Sequence, residues 1–273
     1  MTNTFFSRAL CAAACLGLAA CGVSQQQEVQ MGQEQAAQVN QQLPILQDAQ
    51  INSYINNLGQ EIAKTTPRAD LDWHFAVVNT DEVNAFALPG GFIYVNRGVL
   101  SRASNESELA AVMGHEIEHV VLRHSVKQME QMQGANVGAA LLCTLTAVCN
   151  NGLGQAAIQV GGTAVFAKFS RSDEVQADEG GFQNVIHAGI NPTGMLTFFE
   201  KLLAEEQQSG SSSAVNSWFA DHPGTEDRIT DVQHMLAKEP ASTLSQLRTN
   251  TAAFNAMKAR LNQLPPPPKV SGQ

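Results

Sequence analysis

The chain has 273 residues, 44% of them apolar and 15% charged, enough for one sizeable domain or two small ones and too apolar for wholesale disorder. Its 16 basic and 25 acidic side chains leave a net charge of −9. That excess argues against nucleic-acid binding, where Lys and Arg neutralise phosphates, and against adhesion to anionic lipid through a basic face.

Arg8 is the only charged side chain before Glu28, and an apolar run follows it from Ala9 to Ala20. Such a run has the length of a secretory signal core and is too short to span a bilayer. Leu18-Ala19-Ala20-Cys21 resembles a bacterial lipobox, in which cleavage precedes the cysteine and the cysteine receives the lipid. A plain secretory signal cut elsewhere is the other reading. On the lipobox reading residues 1–20 are removed with Cys11 and Cys15, Cys21 is acylated, and several acyl chains anchor the protein firmly. Loss of Arg8 leaves 15 basic against 25 acidic residues, −10. Gly22 and Val23 place no Asp after the cysteine, which by resemblance to enterobacterial sorting favours the outer membrane, on its periplasmic face.

Residues 21–47 are Gln-rich and read as a tether or a loosely held first helix. Ile51, Tyr54, Ile55, Leu58 and Ile62 follow helical spacing, and Pro67 closes that helix. Trp73–Val78, Asn84–Leu88 and Phe92–Asn96 read as strands, the last two joined by Pro89-Gly90-Gly91, and predict a small antiparallel sheet of three or four strands. Asn105 and Glu108 have the spacing of a capping box opening a helix that runs past His119. Val137–Cys149 is apolar over 13 residues, a core helix and not a membrane span. Cys143 and Cys149 lie six apart, about 9 Å along a helix, so a disulfide between them needs the helix to end at a point such as Asn150-Asn151-Gly152. Two buried thiols are the equal alternative. Ser209–Ser213 reads as a flexible loop, and residues 263–273, with Pro265–Pro268, as a disordered tail. The expected architecture is α+β, one mostly helical domain over 48–262 with a small sheet.

The chemistry concentrates in Gly114-His115-Glu116-Ile117-Glu118-His119. Two histidines four apart share a helix face and can ligate one ion, and neutral imidazole suits zinc. Glu116 stands beside the first ligand and within reach of a water on the same ion, whose pKa zinc lowers to about 7. A catalytic zinc needs a third protein ligand, and Glu174 and Asp178, four apart on the next polar helical stretch, offer one carboxylate for the ion and one for a ligand imidazole.

With Asn84-Ala85-Phe86-Ala87-Leu88-Pro89-Gly90-Gly91 upstream and S-R-x-x-E-x-x-A-D from Ser170 to Asp178, the HExxH segment resembles the zinc peptidases of the HtpX and CAAX prenyl protease family, in its envelope lipoprotein branch. The resemblance covers roughly residues 50–235. It implies a gluzincin-type fold, zinc on His115, His119 and Glu174, Glu116 as general base, and Asp178 supporting a ligand. It also implies that substrate lies along the edge strand containing Asn84, Ala85, Phe86 and Ala87. His222-Pro223 followed by Arg228 matches a further motif, whose histidine lies at the metal and either stabilises the oxyanion or caps zinc at rest, with the arginine nearby. Asp221, where Ser or Thr is usual, is an acid beside the histidine and favours its charged, non-ligating form.

The other histidines, His74, His124, His187 and His234, lack a ligand-spaced partner and read as packing or surface residues. The expected function is a lipid-anchored zinc endopeptidase acting on misfolded or unassembled envelope proteins. A metal-bearing lipoprotein that scaffolds without cutting is the alternative, and a protease silenced by His222 is a third reading.

Overall fold

The computed structural model describes residues 22–132, 169–209 and 214–268. Cys21, Cys143, Cys149, the helix expected over 137–149 and residues 210–213 of the serine-rich loop lie outside the described residues. Helix α1 (Gln25–Gln42) and helix α2 (Ala49–Ala63) precede strands β1 (His74–Val78), β2 (Ala85–Leu88) and β3 (Phe92–Asn96). Then come α3 (Arg97–Arg102), α4 (Glu106–Val121), a helical segment over 124–132, α5 (Arg171–His187), α6 (Thr193–Ser209), α7 (Asn216–Asp221), α8 (Thr225–Lys238), α9 (Ala241–Leu244) and α10 (Ala252–Leu261). This is the expected α+β class, with no described helix long and apolar enough to cross a membrane.

The sheet corrects the antiparallel expectation. Successive strands do alternate in direction, but β3 lies in the middle, in the order β1-β3-β2. It is therefore antiparallel to β2 and parallel to β1. The outer edge of β1 is closed by the preceding chain, where Leu46 N donates to Val77 O at 2.8 Å and Asn79 N to Pro44 O at 2.7 Å. Within the sheet that leaves the outer edge of β2.

Of the two readings of the Gln-rich stretch, the described residues form the first helix, α1, and it is firmly held. Ser24 and Gln27 form a reciprocal capping box at its start, and Glu28 is wholly buried. The Glu28 carboxylate accepts from Arg68 at 2.7 and 3.1 Å, from Arg123 at 2.8 Å and from the Gly90 amide at 3.2 Å. Gly32 meets the hairpin turn so closely that a Cβ there would lie 1.9 Å from Pro89 O. The N-terminal helix is thus clamped to the β2–β3 turn.

Helix α4 is the central element, buried at every residue from Glu106 to Val120. Asn105 caps it by accepting from Glu108 N at 3.0 Å. Only that half of the capping box forms, because the Glu108 carboxylate takes Ser104 N at 2.8 Å and pairs with Lys201. Helix α5 packs against α4 at close range: a Cβ on Gly181 would come within 2.8 Å of His115 N. At the far end the proline tail begins docked, with Leu264 against the core and Pro265 O accepting from Arg97 at 2.7 Å.

Candidate active site

Three helices and one loop bring the predicted residues together. His115, Glu116 and His119 come from α4, Glu174 and Asp178 from α5, Arg228 from α8, and His222 from the cap that ends α7. All seven are at most 3% exposed. The Nε2 atoms of His115 and His119 are 3.0 Å apart, and Glu174 lies 3.5 Å from each, through Oε2 to the first and Oε1 to the second. His222 joins them, its Nδ1 3.1 Å from Glu174 Oε2, so that one donor atom from each of the four residues lies within 4.8 Å of the others.

The donor set fits a zinc ion. Tetrahedral bonds of about 2.0–2.1 Å place neighbouring ligand atoms about 3.3 Å apart, close to the separations found. Glu174 Oε1, buried and facing His119, has no hydrogen-bond partner among the described residues. The His119 pKa falls to about 3, chiefly through burial, which leaves its imidazole neutral. Burial acts the same way on His115, but hydrogen bonds to Asp178 and Glu174 prevail and push it to about 9. A metal taking His115 as ligand displaces that proton, so its binding tightens as pH rises.

Asp178 supports His115, with Oδ1 2.8 Å from Nδ1, and is itself gripped by Arg228 at 2.6 and 2.7 Å. Burial opposes the charged form of Asp178, yet the arginine charge and hydrogen bonds hold its carboxyl below the usual range. Arg228 also reaches Glu174 Oε2 at 2.8 Å and rests 4.6 Å above the Phe199 ring. Burial opposes the charged form of Glu174 too, but His222, His115 and His119 hold its pKa low.

Glu116 differs from both. Neither of its oxygens has a hydrogen-bond partner among the described residues, and burial raises its pKa against the nearby histidines. Its Oε1 lies 3.6 Å from His222 Nε2, which is also 3.4 Å from Ala85 O.

Two local expectations change. Asp221 does not hydrogen-bond the neighbouring imidazole: its Oδ2 accepts from Asn84 Nδ2 at 2.7 Å. His124 is more than a packing residue, since it is 2% exposed and its Nδ1 lies 2.8 Å from His119 Nδ1. Its spacing of five from His119 hides this on a straight helix. The turn at Arg123, with φ of 57°, swings the ring back. His187 and His234 are exposed, and His74, also exposed, stacks on Phe92.

Residues 49–236 match the model of peptidase family M48. The chain is 34% identical over 215 residues to the beta-barrel assembly-enhancing protease of Escherichia coli K12, covering 76% of this chain and 43% of that protein. It is 30% identical over 183 residues to a mitochondrial metalloendopeptidase of Schizosaccharomyces pombe, 67% of this chain and 52% of the relative. It is also 30% identical over 167 residues to the metalloprotease LoiP of E. coli K12, 61% of this chain and 64% of the relative. The chain spans less than half the length of the beta-barrel assembly-enhancing protease it matches. By the extent of the family match and by its motifs, the chain belongs to peptidase family M48, a family of zinc metallopeptidases.

Proposed function

We propose that this protein is a zinc-dependent endopeptidase of the bacterial envelope, held at the periplasmic face of the outer membrane by an acylated Cys21. Its substrates are misfolded or unassembled envelope proteins, cut in extended segments. The observation that carries the catalytic reading is Glu116, a buried carboxylate of raised pKa with no hydrogen-bond partner among the described residues, beside the donor set of His115, His119, Glu174 and His222. A carboxylate so placed is suited to take a proton from an attacking water and pass it to the leaving amine. Zinc, when bound by His115, His119 and Glu174, polarises that water and the scissile carbonyl. On this reading His222 donates to the developing oxyanion, its place among the metal donors fitting equally a cap on zinc at rest, and Arg228 holds Asp178 and Glu174 in place.

The register of β2 supports binding of an extended chain. Asn96 N donates to Asn84 O at 2.9 Å, so residues 84, 86 and 88 bond inward to β3 while Ala85 and Ala87 turn their backbone groups outward. At Ala85 the amide is taken by Asn84 Oδ1 at 2.9 Å and the carbonyl faces His222. Pairing with an added strand therefore falls to Ala87. The adjoining cleft is walled by Leu88, Met129, Met132 and Phe169, with Glu116 and His222 at its base, which favours apolar side chains.

Purified zinc-loaded protein is expected to cut an unfolded model protein, to stop when a chelator strips the metal, and to resume on adding zinc. Fully metallated protein that binds unfolded chains without cutting them would favour the scaffold reading.

The relative named for beta-barrel assembly supports an envelope setting. Only Gly22 separates Cys21 from Val23, whose amide bonds Glu130 at 2.8 Å, so the acyl chains would hold the domain close against the bilayer. Cys21→Ser is expected to move the protein from the membrane fraction to the soluble or uncleaved-precursor fraction, with peptidase activity of the purified domain unchanged. Processed Cys21→Ser protein that still sediments with membranes would refute lipid anchoring as the sole attachment.

A further inference from the structure

We propose that His124 is a positioning residue for the metal centre: it selects the ligating tautomer of His119 by accepting that ring's Nδ1 proton. The inference rests on the metal-binding reading above and not on peptide cleavage. The two Nδ1 atoms lie 2.8 Å apart between buried rings, a contact that is attractive only with one proton between them. His119 presents Nε2 to His115 and Glu174, so its lone pair is needed there and its proton belongs on Nδ1. His124 Nδ1 must then accept, which places the His124 proton on Nε2.

That Nε2 faces Asp173 Oδ1 at 3.6 Å. Asp173 is itself fixed through Oδ2, which accepts from Ser170 N at 3.0 Å and from Ser170 Oγ at 2.7 Å. The opposite arrangement, with the proton on His119 Nε2, would aim an N–H at the other donors and exclude the ring from coordination.

Phe169 completes the support. Its ring stacks on His119 with centroids 4.0 Å apart and planes at 17°, so the ring plane is held while His124 holds the proton. The two ligand histidines are therefore supported differently, His115 by the Asp178 carboxylate and His119 by an imidazole. The difference has an electrostatic reason. Glu116, Glu174 and Asp178 already crowd three carboxylates into the buried site, and an imidazole acceptor orients the second ligand without adding a fourth.

The test compares His124→Phe, which keeps a ring but removes the acceptor, with His124→Gln, whose side-chain oxygen can still accept. Zinc affinity is read by chelator competition without substrate, and the unfolding temperature of the metal-free proteins monitors the fold. His124→Phe is expected to bind zinc on the order of 10–100-fold more weakly at unchanged apo stability, and His124→Gln to recover most of the loss. Nitrogen-15 histidine spectra of the zinc-loaded parent are expected to show the His119 proton on Nδ1 in a hydrogen bond. Zinc binding by His124→Phe as tight as the parent's would overturn the proposal, as would a parent spectrum placing that proton on Nε2. If the phenylalanine variant does not fold, the parent spectrum decides. A protein that binds zinc with this ring-proton signature but cuts no peptide would defeat the peptidase reading and support the role of His124.

Discussion

Glu116→Gln is expected to bind zinc as the parent does and to cut peptides on the order of 10²–10⁴-fold more slowly. The substitution preserves shape and leaves His115, His119 and Glu174 in place, so the metal donors are untouched. What disappears is a group able to receive a proton. In the parent that group is fully buried, with neither oxygen hydrogen-bonded among the described residues. Its pKa is raised by burial, against the lowering influence of His222 and His115. A raised carboxylate pKa brings the base nearer to the pH at which it works, which increases its effectiveness in proton transfer.

The same environment gives a second readout. A carboxyl whose folded pKa lies above its unfolded value of about 4.3 makes the protein less stable as pH rises between the two. Metal-free Glu116→Gln lacks that penalty and is expected to be at least as stable as the parent at pH 7. Zinc stoichiometry, turnover of an unfolded substrate and thermal unfolding check the three parts. Residual turnover within tenfold of the parent would remove Glu116 from the role of base.

Spacing made the centre legible because HExxH and the Glu174–Asp178 pair each lie on one helical face, where four residues make about one turn. Which acid faces the donor set and which supports His115 came from family resemblance, since the spacing alone treats the two alike. Other features depend on how the chain turns back on itself. The strands alternate in direction as their succession implies, but nothing local places β3 between β1 and β2. His124 reaches His119 only through the left-handed turn at Arg123. Asp221 adjoins His222 in sequence yet bonds Asn84, 137 residues away. Helix α1 was obscured by composition: its buried face is Glu28, Gly32, Ala36 and Val39, a stripe with one valine and one acid that no count of large apolar residues detects.

Arg228→Met is expected to destabilise the metal-free protein by about 3–5 kcal/mol at pH 7, the range for removing one partner of a buried ion pair. Methionine can keep the packing on Phe199, but it leaves the buried carboxylates Asp178 and Glu174 without their arginine. In the parent, burial raises the Asp178 pKa, while the charge and hydrogen bonds of Arg228, followed by those of His115, bring it below the ordinary value of 3.8. A depressed carboxyl contributes stability that is fully present above the unfolded value and is lost as pH falls through the folded one. In the variant, burial is opposed at Asp178 by His115 with no arginine to help, so the carboxyl titrates higher and the folded state takes up protons more readily. The stability gap is therefore expected to be widest near pH 7 and to narrow towards pH 4, measured by urea unfolding in chelator. Zinc, by supplying positive charge beside Glu174, is expected to restore part of the loss. A loss below about 1 kcal/mol, or a gap that does not change with pH, would show that Arg228 does not hold these carboxylates in their charged form.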